Sequence, residues 1–526
     1  MAGGVMLVGG PGGAERMTRR GLLKIGTGSV VLGGLARYAP SVLAAPARTL
    51  RVASGESDGP SGTMDPAFSA SDPDAARISA VYERLVVLDD GFAPRPELAT
   101  SWESNSTADV WTFKLRRGVE FQDGRKFTAG DAVYTYRRLL DPKTGSAAKA
   151  LLEGVGPDGI TALDDYTVRF MLSTPNVEFP LTIANRFTYI VPQGSTSEDL
   201  RARGIGTGPF RVEKFVPGEE PSIFRRNERY WQRGLPLVDT LELRAIPEEA
   251  ARVAALQRGQ VDVVMDIPLT SVTALVRDRR VKVIRARSPF ILTMACWTDT
   301  PPFDDDRVRL AMKYCVDRRK MLQVVLNGYG DVANDDPVAP WVQYALGESP
   351  RQQDTTKAKM LLAEAGHKDG LSVQLWTSSA TTGMVEMATA FKEMAAPAGI
   401  NVEIKEAPST DYWDKVWLKQ PFVCSSWSGR PADEALAVGH LSSSKWNETH
   451  WHRPDWDRLI LDARKTVNFE ARKALYQKAQ RVLIDEGGDL IPVFVNATSA
   501  TRADVRGWAP HAQKFYKNFT RVGFAG

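Results

Sequence analysis

The chain has 526 residues, 43% of them hydrophobic and 25% charged, which is the balance of a globular protein and not of a disordered chain. Its 67 basic against 63 acidic residues leave a formal charge of +4 spread along the sequence, and no Lys/Arg block with interleaved aromatics supplies a nucleic-acid footprint. The length exceeds one ordinary core and predicts two or three domains.

Residues 1–47 read as an export leader. Thr18-Arg19-Arg20-Gly21-Leu22-Leu23-Lys24 is a twin-arginine pattern, and the Gly-rich run after it is too short to span a bilayer. Cleavage sites of the A-x-A kind follow at Ala44 and Ala47. The three cysteines, Cys296, Cys315 and Cys424, cannot all pair and show no C-x-x-C spacing, so they are read as buried thiols.

The mature chain opens on a short strand, Thr49 to Ala53, and a loop full of turn residues, Ser54 to Pro66. A helix is expected from Ala76 to Leu88. Trp111, Phe113 and Leu115 alternate with polar neighbours and predict a strand; Asp123-Gly124 marks a turn. Thr128 with Asp131 three residues on forms a capping-box start for a helix to Leu140. Thr167–Leu172 and Thr188–Pro192 are further strand candidates. Pro217-Gly218 then punctuates a hairpin, and Leu241, Leu243 and Ala245 share one face of a half-buried strand. A helix follows at once, with Pro247, Glu248 and Glu249 at its start and Gly259 as its stop, before a strand from Val261 to Ile267.

Beyond an apolar run at Ser288–Trp297 the rhythm is α/β. Lys357–Ala365, Met384–Ala395 and Asp411–Leu418 read as helices between strands at Leu371–Leu375, Val402–Ile404 and Phe422–Trp427. Asn468 caps a long helix to Glu486, and residues 491–495 return the chain to its first half. Such alternation implies a mostly parallel sheet, with ligands gathering beyond the carboxyl ends of its strands. The loops Thr377–Gly383 and Ser428–Glu434 leave those ends and define a binding face.

The segments LVVLDDGFAPRPELATSWE, TFKLRRGVEFQDGRKFTAGDAV, GTGPFRV, RNERYW, LQRGQVDVV and PPFDDDRVRLAMKYCVDR resemble the family 5 extracytoplasmic solute-binding proteins, the peptide-binding receptors of ABC importers. The resemblance implies an α/β, bilobal periplasmic-binding-protein-like fold with an interlobe cleft. Lobe I would be enlarged and discontinuous (48–287 with the return 491–526), and lobe II would be 288–490. The crossings near Ser288–Trp297 and Leu490–Val493 would act as hinges. It implies a periplasmic monomer that closes over a small-molecule or peptide ligand, without a cofactor, and presents it to an ABC permease heterodimer and its ATPases. It also places the first loop, with Thr63 and Met64, at the cleft.

One departure bears on the ligand. Where peptide-binding members run into W-x-G-D, whose Asp pairs with the peptide ammonium, this chain has Trp427-Ser428-Gly429-Arg430. The loop matching the carboxylate-binding arginine of dipeptide receptors, with Thr381, holds only hydroxyls and glycine among its polar groups. Arg430 is therefore expected to read an anionic group with Trp427 stacking beside it. The alternative is that it pairs with Asp433 or Glu434 and braces the loop. Asp433 is the substitute candidate for an ammonium, and Trp446, after Ser442-Ser443-Ser444, is a second cleft aromatic.

Catalytic signatures are missing: no H-E-x-x-H, G-x-S-x-G or P-loop occurs. A secreted hydrolase using paired carboxylates is the runner-up class, and a chaperone-like module of the same fold a third. A receptor for nickel or a metal complex is the alternative within the resembled fold. Of the five histidines, His367, His440, His450, His452 and His511, only His450 and His452 stand close, without a recognised ligand spacing, so no metal site is assigned.

Overall fold

The computed structural model describes residues 48–57, 59–152, 154–512 and 517–525; the leader and its cleavage sites lie outside the described residues. Local chemistry builds the elements much as the sequence pattern requires. In the Thr240–Ala245 strand Leu241 and Leu243 are buried and Glu242 is half-exposed. The helix Glu249–Gln257 is capped by the Glu248 carboxylate, which accepts the Ala250 and Ala251 N–H groups, and Gly259 follows it at φ +70°. Asp131 closes back on the Thr128 N–H at 2.8 Å and starts the helix Ala129–Leu140. Asn468 accepts the Ala471 N–H at 2.9 Å and starts Phe469–Glu486.

Among the described residues the largest sheet has eleven strands. Thr49–Ser54 lies between two parallel neighbours, Thr240–Ala245 and the short Val263–Val264. The hairpin Phe210–Lys214 and Ser222–Arg226 extends that side antiparallel. On the other side Val263–Val264 pairs with Asp489–Arg502, which pairs along its length with Val281–Cys296. Next come Phe422–Trp427, antiparallel to Val281–Cys296, and then Leu371–Thr377 and Ile400–Glu406, parallel to each other.

The two strands that join the halves of this sheet are 16 and 14 residues long, well beyond the stretches expected from the apolar runs. Their ladder breaks twice, between Leu292 and Met294 and, more widely, in the middle. Ala286 pairs with Ala497 and Phe290 with Val495, so Arg287, Ser288 and Pro289 lie opposite Asn496 alone. Pro289 has no N–H to give to a ladder, which fits this bulge.

Several expectations are corrected. The helix predicted at Ala76–Leu88 is Asp72–Val81, because Ser71 and Asp74 form a reciprocal cap (3.2 and 3.3 Å) upstream of the apolar pattern, and Val86–Leu88 is a strand. Thr188–Pro192 forms no strand; its Ile190 and Val191 N–H groups donate to the Glu83 carbonyl and the Thr135 hydroxyl instead. Val261–Ile267 narrows to Val263–Val264, and Asp411–Leu418 to the single turn Tyr412–Lys415. The sheet of the second half is mixed, since the two long strands run antiparallel to each other and Val281–Cys296 runs antiparallel to Phe422–Trp427.

A separate antiparallel sheet, Ala99–Ser104, Val110–Leu115, Thr167–Leu172 and Val155–Asp164, carries an aromatic core in which Phe113 and Phe170 meet edge-on at 5.5 Å. The same apolar cluster takes in Trp456, Ile460 and Tyr476 from the late helices Pro454–Lys465 and Phe469–Glu486. Polar bonds cross that seam too. The Val177 N–H donates to the Arg464 carbonyl at 2.8 Å, and Glu178 takes the Tyr344 hydroxyl at 2.8 Å and Arg472 at 3.0 Å.

Candidate functional site

The strands Leu371–Thr377 and Phe422–Trp427 are parallel neighbours, Trp376 in register with Val423, so their following loops leave the same edge of the sheet. Thr381 in the first loop shares a hydrogen bond with the Ser426 hydroxyl at 3.1 Å. In the second, Trp427 is half-buried and donates its indole N–H to Glu448 Oε1 at 2.6 Å. Trp446, 51% exposed, stands with its ring 6.4 Å from that of Trp427.

Gly429 brings this turn against the bulge of the long strand. A Cβ there would stand 2.9 Å from the Pro289 ring and 3.3 Å from the Ala512 carbonyl oxygen. Beside it the Arg430 guanidinium lies 5.1 Å above the Trp427 ring. Its Nε donates to Glu434 at 3.0 Å and its Nη1 to the Ser428 carbonyl at 3.1 Å, while Nη2 has no protein partner among the described residues. The brace to Glu434 therefore exists, and it leaves one edge of the guanidinium uncommitted. A pocket of about 20 Å³, enough for about one water, runs from Trp427, Ser428 and Arg430 to His440 and Asp489. Arg186, on the segment before Thr188, is near enough to feel this charge. Burial holds its guanidinium below the ordinary value and the Arg430 charge adds to that, with Glu434, Asp72 and Asp74 opposing.

Other expected site residues are placed elsewhere. Asp433 starts the helix Ala432–His440 but turns away, its oxygens taking Arg464 (2.8 and 2.9 Å) and the Tyr476 hydroxyl (2.8 Å), so its carboxylate is already satisfied. Met64 has 0% exposure and packs in the core with Ile78, Tyr82 and Leu200. Thr63 is buried, its N–H given to Asp74 at 2.9 Å and its hydroxyl accepting the Asp65 N–H at 3.0 Å. Both residues help hold the first loop down, and Thr63 also lines a surface hollow of about 700 Å³.

The three cysteines are buried, and burial pushes each thiol up to about 12, far from a reactive thiolate. His450 stacks on Trp297 at 4.1 Å and meets Asp299 at 3.0 Å; His440 is buried against Asp489 at 2.8 Å. No group of three or more His, Cys, Asp or Glu with metal-holding geometry occurs among the described residues. A surface hollow of about 810 Å³ beside the helix Ala129–Leu140 has its arginines already used: Arg138 by Asp65 at 3.0 Å, Arg137 by the Pro157 and Ile160 carbonyls at 3.0 and 2.9 Å.

Sequence reasoning missed Glu448, Arg186 and the His440–Asp489 pair. No spacing rule joins residues 21, 49 or some 240 positions apart; only the fold does. A hint for Glu448 was the density of tryptophan around it, since buried indoles need acceptors.

The family model described as "Bacterial extracellular solute-binding proteins, family 5 Middle" matches residues 93–449. The chain is 25% identical over 462 residues to the glutathione-binding protein GsiB of Salmonella choleraesuis, covering 85% of this chain and 89% of that protein. It is 27% identical over 447 residues to the heme-binding protein A of Haemophilus influenzae, covering 78% and 81%. The solved structure of HbpA2 from Haemophilus parasuis superposes with a TM-score of 0.80 at 22% identity, over 90% of this chain and 99% of that one. The fold is thus that of a bilobal periplasmic binding protein. No described helix is long and apolar enough to cross a membrane.

Proposed function

This chain belongs to the family 5 bacterial extracellular solute-binding proteins, and from that premise we propose that it is the periplasmic receptor of an ABC importer, closing its lobes on a small polar or peptide-like solute through an anionic group. The observation that carries the anionic reading is Arg430, half-buried over Trp427 with its Nη2 edge uncommitted. A guanidinium so held gives charge-assisted bonds to a carboxylate or phosphate. Arg186 adds a second positive charge close by. A solute that meets this charge more fully in the closed form than in the open one would drive closure. The named relatives are binding proteins, which supports a receptor over a hydrolase.

The test begins with a thermal-unfolding screen of di- and tripeptides, dicarboxylates and phosphorylated sugars, because a solute bound to the folded state raises the unfolding temperature. For a solute found this way, Arg430→Ala is expected to weaken binding by roughly 1.5–3 kcal/mol, more than tenfold, in calorimetric titration. An unchanged dissociation constant in the folded variant overturns the anionic reading. The closed form would be delivered to a heterodimeric permease and its ATPases.

Export is assigned to the twin-arginine route. Replacing Arg19 and Arg20 together by Lys is expected to strand the protein in the cytoplasm, and normal periplasmic recovery of that double variant overturns the assignment.

A further inference from the structure

An indole has one N–H donor and no acceptor, so whatever holds that N–H decides which way the ring faces. For Trp427 the holder is Glu448. Its Oε1 takes the Trp427 N–H at 2.6 Å and its Oε2 the Trp417 N–H at 2.5 Å. Glu448 itself is 2% exposed. The two indoles meet edge to face at 6.0 Å, so a single carboxylate sets both rings. Trp427 in turn lies under the Arg430 guanidinium, while Trp446 flanks it and reaches solvent.

We propose that Glu448 is a positioning residue of the binding site, a two-oxygen clamp that fixes the plane of Trp427 and, through it, the place of Arg430. The inference rests on the reading of the Trp427–Arg430 turn as the solute contact. An ionised carboxylate has an acceptor for each indole. A protonated one carries an O–H on one oxygen, which leaves that oxygen a weaker acceptor for its indole N–H. Protonation therefore weakens the hold on one ring. Burial first, and the Asp489 carboxylate second, push Glu448 up to about 7, against the pull of the Trp427, Trp417 and Ser425 bonds. The groups packed around it are few. Asp489, from the long strand, is itself held by His440 at 2.8 Å and Thr293 at 2.8 Å. Tyr412, from the Tyr412–Lys415 turn, is neutral and gives its hydroxyl to the Cys424 carbonyl at 2.6 Å. The clamp is therefore strongest on the alkaline side of neutrality, and one arm weakens on the acid side.

The test needs no solute. Near-ultraviolet circular dichroism and tryptophan emission of the purified full chain are followed from about pH 5.5 to about pH 8.5. The wild type is expected to show a spectral step centred near neutrality. Glu448→Gln, which cannot ionise, should abolish the step, and Trp427→Phe should remove most of its amplitude. Far-ultraviolet dichroism and thermal unfolding establish that both variants are folded. A step of unchanged midpoint and amplitude in either variant overturns the proposal. Should Glu448→Gln fail to fold, Trp417→Phe decides. It deletes one bond to the ionised form and should move the midpoint to higher pH; an unmoved midpoint counts against the clamp. Because these readouts are solute-free, their outcome is separate from that of the Arg430→Ala titration.

Discussion

Replacing Gly206 by alanine is expected to destabilise the protein by ~3 kcal/mol, read as an earlier midpoint in equilibrium denaturation. A Cβ at Gly206 would stand 2.1 Å from the Val81 carbonyl oxygen and 2.8 Å from the Tyr82 ring. That oxygen has nowhere to go. It ends the helix Asp72–Val81 and accepts the Gly208 N–H at 2.9 Å and the Gln122 amide at 3.1 Å. Gln122 is fixed in turn by the Phe210 carbonyl at 2.7 Å and the Gly206 N–H at 3.2 Å. Any shift that admits the methyl breaks several of these bonds at once. Gly154→Ala is the control: nothing lies within 4 Å of its added Cβ, so a change within about 0.5 kcal/mol is expected. A Gly206→Ala effect no larger than that control would show that the junction yields freely.

The same junction explains what the sequence motifs are for. Glu83 receives the hydroxyls of Thr207 and Tyr230, both at 2.8 Å, and the Trp231 indole at 2.9 Å. Asn227 donates to the Gly208 carbonyl at 3.0 Å. GTGPF, RNERYW and FQDG thus meet around one buried carboxyl and one helix end. They identify the family because they build its frame, and they say nothing about the solute.

What was legible in the chain was local. The strand at Thr240–Ala245, the caps at Thr128 and Asn468 and the stop at Gly259 depend on neighbours a few residues away, and the structure has them where the pattern put them. The lengths of the two long strands were not legible, because Val281 pairs with Arg502 and only that distant partner makes a ladder of its polar half. At the candidate site, the turn Trp427–Arg430 was singled out from its place at a strand end. Asp433 was misplaced because the neighbours that satisfy it, Arg464 and Tyr476, come from two later helices. Met64 reads as a loop residue in sequence, yet Gly204 leaves room for its side chain in the core.

Stability is expected to be higher at about pH 5 than at about pH 8, by on the order of 3 kcal/mol. The cause is a set of buried carboxyls that stay protonated in the fold. Glu178 is moved from an ordinary 4.5 to about 7 by burial and by Asp433, against Tyr344 and Arg472. Burial moves Asp336 from 3.8 to about 7. Burial likewise raises Glu83 and Glu97. For each, the unfolded chain gives up its proton near the ordinary value while the fold holds it. Rising pH therefore favours unfolding across the interval from about 4.5 to about 7, and the contribution is complete below it. His511 opposes: burial pushes it below its ordinary 6.5, so its share is lost as pH falls. One imidazole against several carboxyls leaves the sign with the carboxyls. Urea unfolding across this range measures the slope, and the double variant Glu178→Gln, Asp336→Asn should flatten it by up to two protons. Stability that climbs from about pH 5 to about pH 8 would show these carboxyls to be ionised in the fold. In that case the Glu178 contact with Arg472 across the seam is a full ion pair, and breaking it by Arg472→Ala would leave a buried charge at a loss of about 3–5 kcal/mol.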